Sequence, residues 1–238
     1  MLQKDRKMQI KLVRHAYSML NAGLVKHQDM PNHQIPIVEP LGIEQAMNAG
    51  KTIGKGYLRE ALVYCSPYLR TRQTMNHLLV GAGFDETNKP KVYEDPRLRE
   101  VDFGYGDPES QKPKRKLEGY FWYRMDGGES AADCFDRTSD FLDSMMRQLE
   151  RKQKEVYDIP LDDAVIYSEK VNRDVLIVTH GLIIRCFVMR FLHLTVEQYD
   201  STDTPGNCDI ITIAPREQIA NPQFTCGRWA VEGMTMRQ

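Results

Sequence analysis

Residues 175–179, Val-Leu-Ile-Val-Thr, constrain the fold more than any other stretch of this chain. The run carries no charge and no helical repeat. An apolar run of this length reads as a strand buried on both faces, which is what a central parallel strand covered by helices requires. It leads directly into His180-Gly181 and an apolar helix expected over Gly181 to His193.

The same alternation recurs along the chain. Further strands are expected at Gln9 to Val13, Ala61 to Cys65, Lys91 to Glu94 and, last, Asp209 to Ile213. A helix is expected over Gly42 to Lys55, with Ile43, Ala46, Met47, Gly50 and Ile53 along one side. Another starts at Ser66-Pro67, Ser as the cap and Pro in the first turn, and runs to about Val80. Ser130 to about Arg151 reads as a long amphipathic helix with Phe135, Phe141, Leu142, Met145 and Leu149 inward. Strands alternating with helices predict an α/β fold with a mostly parallel central sheet. Residues 22–40 read as loop, 101–128 as an insertion over the sheet edge, and 152–173 as a charged connection. Without a repeat or a convincing boundary, residues 1–238 read as a single domain.

Composition narrows the function. Lys plus Arg number 32 against 33 Asp plus Glu, a balance that argues against a dedicated nucleic-acid binder. Cys65, Cys134, Cys186, Cys208 and Cys226 are scattered, odd in number and without a Cys-x-x-Cys. They are expected to be reduced thiols, with Cys65, Cys186 and Cys208 inside apolar elements, in a reducing compartment. Met1 to Met8 is charged and has no apolar signal core, and the longest apolar stretches, such as Leu182 to Val188, are too short to span a bilayer. The expectation is a soluble, cytoplasmic protein with no nucleic-acid or membrane partner, and a homodimer is compatible with it.

Two strands end alike. The first ends Val13-Arg14-His15 and the later one Val178-Thr179-His180-Gly181. If they are neighbours, two histidines meet at the carboxyl edge of the sheet, where open α/β proteins bind ligands. The helix after Gly181 offers free N–H groups, and Arg70, one turn into its helix, points to the same mouth. Histidines, arginines and helix N-termini together predict an anion site, with phosphate the best fit. A leaving oxygen also needs a proton. Glu100, just after the third strand, is the favoured acid, with Glu129 as rival. Arg72 reads as a surface charge before a second phosphate ligand. The run Lys112 to Lys116 reads as a solvated loop before a lure for polyanions. His27, His33, His77 and His193 lack metal-ligand spacing.

In order along the chain, these blocks resemble the histidine phosphatase, or phosphoglycerate-mutase-like, superfamily. The matching blocks are Leu12-Val13-Arg14-His15-Ala16 with Ser18 and Asn21, Ser66-Pro67-Tyr68-Leu69-Arg70-Thr71-Arg72-Gln73-Thr74, Leu98-Arg99-Glu100 with Phe103-Gly104, Gly128-Glu129-Ser130, and Val178-Thr179-His180-Gly181. Phe121-Trp122-Tyr123-Arg124 and Pro205-Gly206-Asn207-Cys208 are similar to a eukaryotic phosphoglycerate-mutase-like phosphatase branch. The resemblance implies a three-layer α/β/α fold with an inserted cap. It implies that His15 attacks phosphorus, that Arg14, Arg70 and His180 hold the phosphoryl oxygens, and that Asn21 and Gly181 help bind phosphate. It implies that Glu100 protonates the leaving alcohol and then activates water, and that neither metal nor cofactor takes part. The substrate would be a small phosphorylated molecule.

The chain departs from the pattern at Ala16-Tyr17, where the family usually has Gly and a polar or acidic residue. Leu20, and Val101-Asp102 after Glu100, replace a Trp and an Arg that serve the glycolytic mutases. These departures favour a phosphatase, with a phosphomutase or a non-catalytic phosphate-binding module as the alternatives.

Overall fold

The computed structural model describes residues 8–27, 29–105, 110–155 and 174–237. Most of the charged N-terminal segment and of the connection expected at 152–173 lie outside them. One seven-stranded sheet runs through the described residues in the order β3-β2-β4-β1-β5-β7-β6. The strands are β1 (Ile10–Arg14), β2 (Leu62–Cys65), β3 (Val92–Glu94), β4 (Val175–Thr179), β5 (Ile210–Pro215), β6 (Phe224–Cys226) and β7 (Trp229–Glu232). Strands β1 to β4 are mutually parallel, whereas β5 pairs antiparallel with β1 and begins an antiparallel extension. β4 is central and every residue in it is buried.

The helices are α1 (Leu41–Ile53), α2 (Lys55–Glu60), α3 (Leu69–Gly81), α4 (Lys112–Glu118), α5 (Ala131–Glu155), α6 (Gly181–Leu192) and α7 (Val196–Asp200). Side chains alternate across the sheet, as the pleat requires. Leu176 and Val178 join Ala49, Ile53, Met75 and Leu78 of α1 and α3 on one face. Val175 and Ile177 join Phe141, Met145, Ile183 and Phe187 of α5 and α6 on the other. Helix–sheet–helix layering is the consequence of β4's two-sided apolarity. α1 and α3 cross closely at Gly50, where a Cβ would lie 1.9 Å from the Leu78 carbonyl oxygen. No described helix is long and apolar enough to cross a membrane.

Several expectations change. The strand expected to be last is succeeded by β6 and β7, which are only three and four residues long and carry no extended apolar run. α3 starts at Leu69, and Tyr68 precedes it without a side-chain cap. Ser66 is not its cap, because the Ser66 hydroxyl is engaged with His180. Cys208 stands in a turn with φ +61°, not inside an element. The 101–128 segment contains α4 and supplies Val101, Phe103 and Arg115 to the wall of a cavity, while Phe121 packs against Phe135 and Tyr199.

Candidate active site

β1 and β4 are adjacent and in register, Arg14 opposite Thr179. The next residue of each strand is therefore a histidine at the same sheet edge. The His15 N–H donates to the Thr179 carbonyl at 2.9 Å, and the two imidazole centres are 5.3 Å apart. Both rings are buried, at 4% and 0% exposure.

The hydrogen bonds of His15 set its reactivity. Its Nδ1 lies 2.8 Å from the Ala16 carbonyl oxygen, which can only accept, so Nδ1 carries the ring proton. That leaves Nε2 with a free lone pair. Burial, then the positive charges of Arg70 and Arg14, hold the ring's pKa well below the usual value, so it stays neutral and nucleophilic.

His180 is fixed from the other side. Its Nε2 lies 2.8 Å from Ser66 Oγ. The Ser66 hydroxyl has no other acceptor among the described residues, so its proton goes to His180 Nε2, while its oxygen accepts the Tyr68 N–H at 3.4 Å. His180 then carries its own proton on Nδ1. This atom is buried, has no hydrogen-bond partner among the described residues and stands 3.8 Å from Glu100 Oε2.

A cavity of about 210 Å³ opens at His15, with Arg14, Asn21, Arg70 and Glu100 in its wall; the fully buried His180, whose ring lies beside that of His15, is not part of that wall. Arg14 donates through Nη1 to the Pro205 carbonyl at 2.6 Å, and its buried Nε has no partner among the described residues. Arg70, 2% exposed, donates through Nη1 to Asn32 O at 2.6 Å and stacks over Tyr68. Each guanidinium keeps donors for a guest. Buried guanidinium groups are costly unless an anion pairs with them, so the cavity is built for one. Asn21 Oδ1 accepts from the Ser18 N–H and hydroxyl and from Asn207 Nδ2, which leaves its own NH₂ group as a donor. His15, Glu100 and His180 could also offer ligand atoms to a metal ion, all within 4.8 Å of one another. A cation there would face Arg14 and Arg70, so the charge of the cavity suits an oxyanion better.

Glu100 comes after the short turn Pro96–Leu98, which Asp95 caps by accepting the Arg97 N–H. Its Oε1 accepts the Val101 N–H, and burial raises its pKa against the opposing pull of Arg70 and Arg14. The backbone before it is held by Arg137 of α5. This guanidinium donates to Arg97 O at 2.6 Å, Arg99 O at 2.8 Å and Glu100 O at 3.3 Å, and it pairs with Glu129. Glu129 also accepts from Arg99 and from the Asp102 N–H, and these partners hold its carboxyl below the usual range. Glu129 is thus a strut under the acid's loop and is absent from the cavity wall. Replacing Arg137 with Met leaves Glu129 half-buried and short of its main partner. The expected loss is about 3 kcal/mol of folding stability, measured by urea denaturation.

The remaining sequence expectations divide. Arg72 pairs with Glu94 on the surface and belongs to no site. Gly181 opens α6 but is not in the cavity wall, where Leu182 stands instead. A side chain at Gly181 would meet Thr204 at 2.3 Å, so its small size makes room for the 202–209 turn. Four contributors are not apparent as site residues in the sequence: Pro205, Asn207, Arg115 and Arg185. Asn207 Nδ2 also donates to the His15 carbonyl at 2.9 Å. Arg185 has one visible signal, as one of two cations in an otherwise apolar helix.

The chain matches the family model of the histidine phosphatase superfamily, branch 1, over residues 10–157 and 163–226. It belongs to that superfamily. Phosphoglycerate mutase-like protein AT74H of Arabidopsis thaliana is 35% identical over 212 residues, covering 83% of this chain and 70% of the relative. The related AT74 of the same plant is 33% identical, and this chain spans 62% of its length. A broad-range acid phosphatase, DET1 of Saccharomyces cerevisiae, is 31% identical over 134 residues, 54% of this chain and 36% of that protein. Among solved structures, the native mycobacterial glucosyl-3-phosphoglycerate phosphatase aligns with a TM-score of 0.66 at 21% identity, over 98% of this chain and 100% of the other. That likeness shows that the two chains share a fold.

Proposed function

We propose that this histidine phosphatase superfamily member hydrolyses phosphomonoesters through a phosphohistidine at His15, without a metal ion. One observation carries the reading: the bare Nε2 of a neutral, buried histidine in a cavity whose wall holds the Arg14 and Arg70 guanidinium groups and a raised-pKa carboxyl. The name of the yeast relative, a broad-range acid phosphatase, supports it.

In the first step the Nε2 lone pair forms the N–P bond as the P–O bond to the alcohol breaks. Glu100 gives its proton to the leaving oxygen and becomes a carboxylate. Arg14, Arg70 and the Nδ1–H of His180 hold the three spectator oxygens and stabilise the charge of transfer. In the second step Glu100 takes a proton from water, the hydroxyl oxygen bonds to phosphorus, and the N–P bond returns its electrons to His15. Phosphate leaves and the protonated Glu100 is restored. Residues 1–238 act as one domain in this reading, and the reduced cysteines suit a cytoplasmic setting.

Rapid acid-free quenching after mixing with a ³²P-labelled phosphomonoester tests the intermediate. Label should remain on wild-type protein, resist base, be lost in acid and map to His15. Label on another residue, or none despite turnover, would overturn the proposal.

A further inference from the structure

The wall of the cavity carries more positive charge than one phosphoryl group uses. Four arginines line it, Arg14, Arg70, Arg115 and Arg185, against one carboxylate, Glu100. Arg14 and Arg70 stand with His15 in the reaction already described. Arg115 and Arg185 have no part in it.

Arg185 is only 3% exposed and rigidly held. Its Nε donates to Thr202 Oγ1 at 2.8 Å, its Nη2 to the Tyr199 carbonyl at 3.0 Å, and its guanidinium lies 4.0 Å from the Tyr199 ring centre. Its Nη1 has no hydrogen-bond partner among the described residues. Arg115 comes from α4 in the inserted segment and lies over Tyr120 at 5.3 Å. No described carboxylate or carbonyl accepts from its side chain. Arg237 stacks on the same Tyr120 ring at 4.0 Å. The nearby acid is Asp200, which feels Arg185, Arg237 and Arg115, and its buried Oδ1 makes no hydrogen bond among the described residues. Among the described residues, one carboxylate thus faces three arginines. A fixed fork with spare donors, beside a second guanidinium that has no acceptor among the described residues, is an arrangement that recognises carboxylate or phosphate.

We infer that Arg115 and Arg185 form a second anion subsite, so that the preferred substrate carries a carboxylate or a second phosphate besides the phosphoryl group transferred to His15. This rests on the proposed phosphatase reading and adds the class of its substrate. α4 also explains the chain's one dense basic run: part of it, Arg115, faces the cavity instead of solvent.

A three-carbon series tests the inference: propyl phosphate, 3-phosphooxypropanoate and propane-1,3-diyl bisphosphate. Wild-type protein should give a higher kcat/KM for at least one doubly anionic compound than for propyl phosphate. In Arg115→Gln that preference should fall by about tenfold, chiefly through KM, as expected for one charge-assisted contact. The carboxylate and bisphosphate arms tell which anion the subsite takes. Calorimetric binding of propylphosphonate and propane-1,3-bisphosphonate to wild-type protein gives a second readout that needs neither turnover nor a variant. Equal affinities there, or a preference unchanged by Arg115→Gln, would overturn the subsite. Tighter bisphosphonate binding without any phosphatase activity would instead sink the hydrolytic reading and leave the subsite standing.

Discussion

Replacing His15 with alanine should lower kcat for p-nitrophenyl phosphate by about 10⁴-fold or more, the scale on which covalent catalysts lose activity with their nucleophile. Substrate binding should fall much less, because Arg14, Arg70 and His180 remain. The two quantities are separable: steady-state kinetics gives kcat, and competition by inorganic phosphate reports the anion site. His15 makes one side-chain hydrogen bond among the described residues, to its neighbour's carbonyl, so its removal disturbs little else. A His15→Ala protein that binds phosphate and still turns over at the wild-type rate would show that water attacks directly.

Glu100→Gln is expected to act unequally on different substrates. An alkyl phosphate needs its leaving oxygen protonated, and kcat should drop by about 10² to 10⁴-fold. Nitrophenolate leaves without help, so the first step should survive with p-nitrophenyl phosphate while hydrolysis of phospho-His15 slows. A burst of one nitrophenol per site before slow turnover is the expected trace. The pH dependence rests on two groups. His15 must be neutral, and its depressed pKa keeps it so well into the acid range. Glu100 must be protonated for the first step, and its raised pKa keeps it so further up than an ordinary carboxyl. Activity toward alkyl phosphates should therefore be highest on the acid side and decline as pH rises through the pKa of Glu100. The residual activity of the Gln variant toward alkyl phosphates should lack that decline, the ionisation of the substrate being common to both proteins. Equal losses on both substrates, with an unchanged pH profile, would remove Glu100 from the role of acid.

The parts of the site readable in the sequence are those tied to strand ends. β1, β2 and β4 are apolar runs, and the residue just past each strand, His15, Ser66 or His180, is carried to one edge by their pairing. Glu100 was legible for the same reason, lying shortly after β3. Glu129 was ambiguous because a carboxylate at a helix entry looks alike whether it caps, braces or reacts. Only the position of Arg137, eight residues on in α5, decides that it braces. The 202–209 turn was illegible as site structure. Its contributions are a main-chain carbonyl at Pro205 and an amide at Asn207, and a backbone acceptor leaves no trace in residue type. Arg115 was hidden among solvated lysines, since a basic run does not show which member turns inward.

The sheet order also has a temporal side. Within this sheet β1 is made before the other six strands, yet its neighbours on both sides are β4 and β5, and Gln9 meets Asp174 across a separation of 165 residues. During synthesis Ile10, Leu12 and Val13 have no strand to lie against until most of the chain has left the ribosome. Pairing over such separations is slow, because loop closure precedes any gain from contact. The residue proposed to react is therefore made long before the strands that seat it. The emerging chain would carry an exposed apolar strand for most of that interval, a natural client for a holding chaperone.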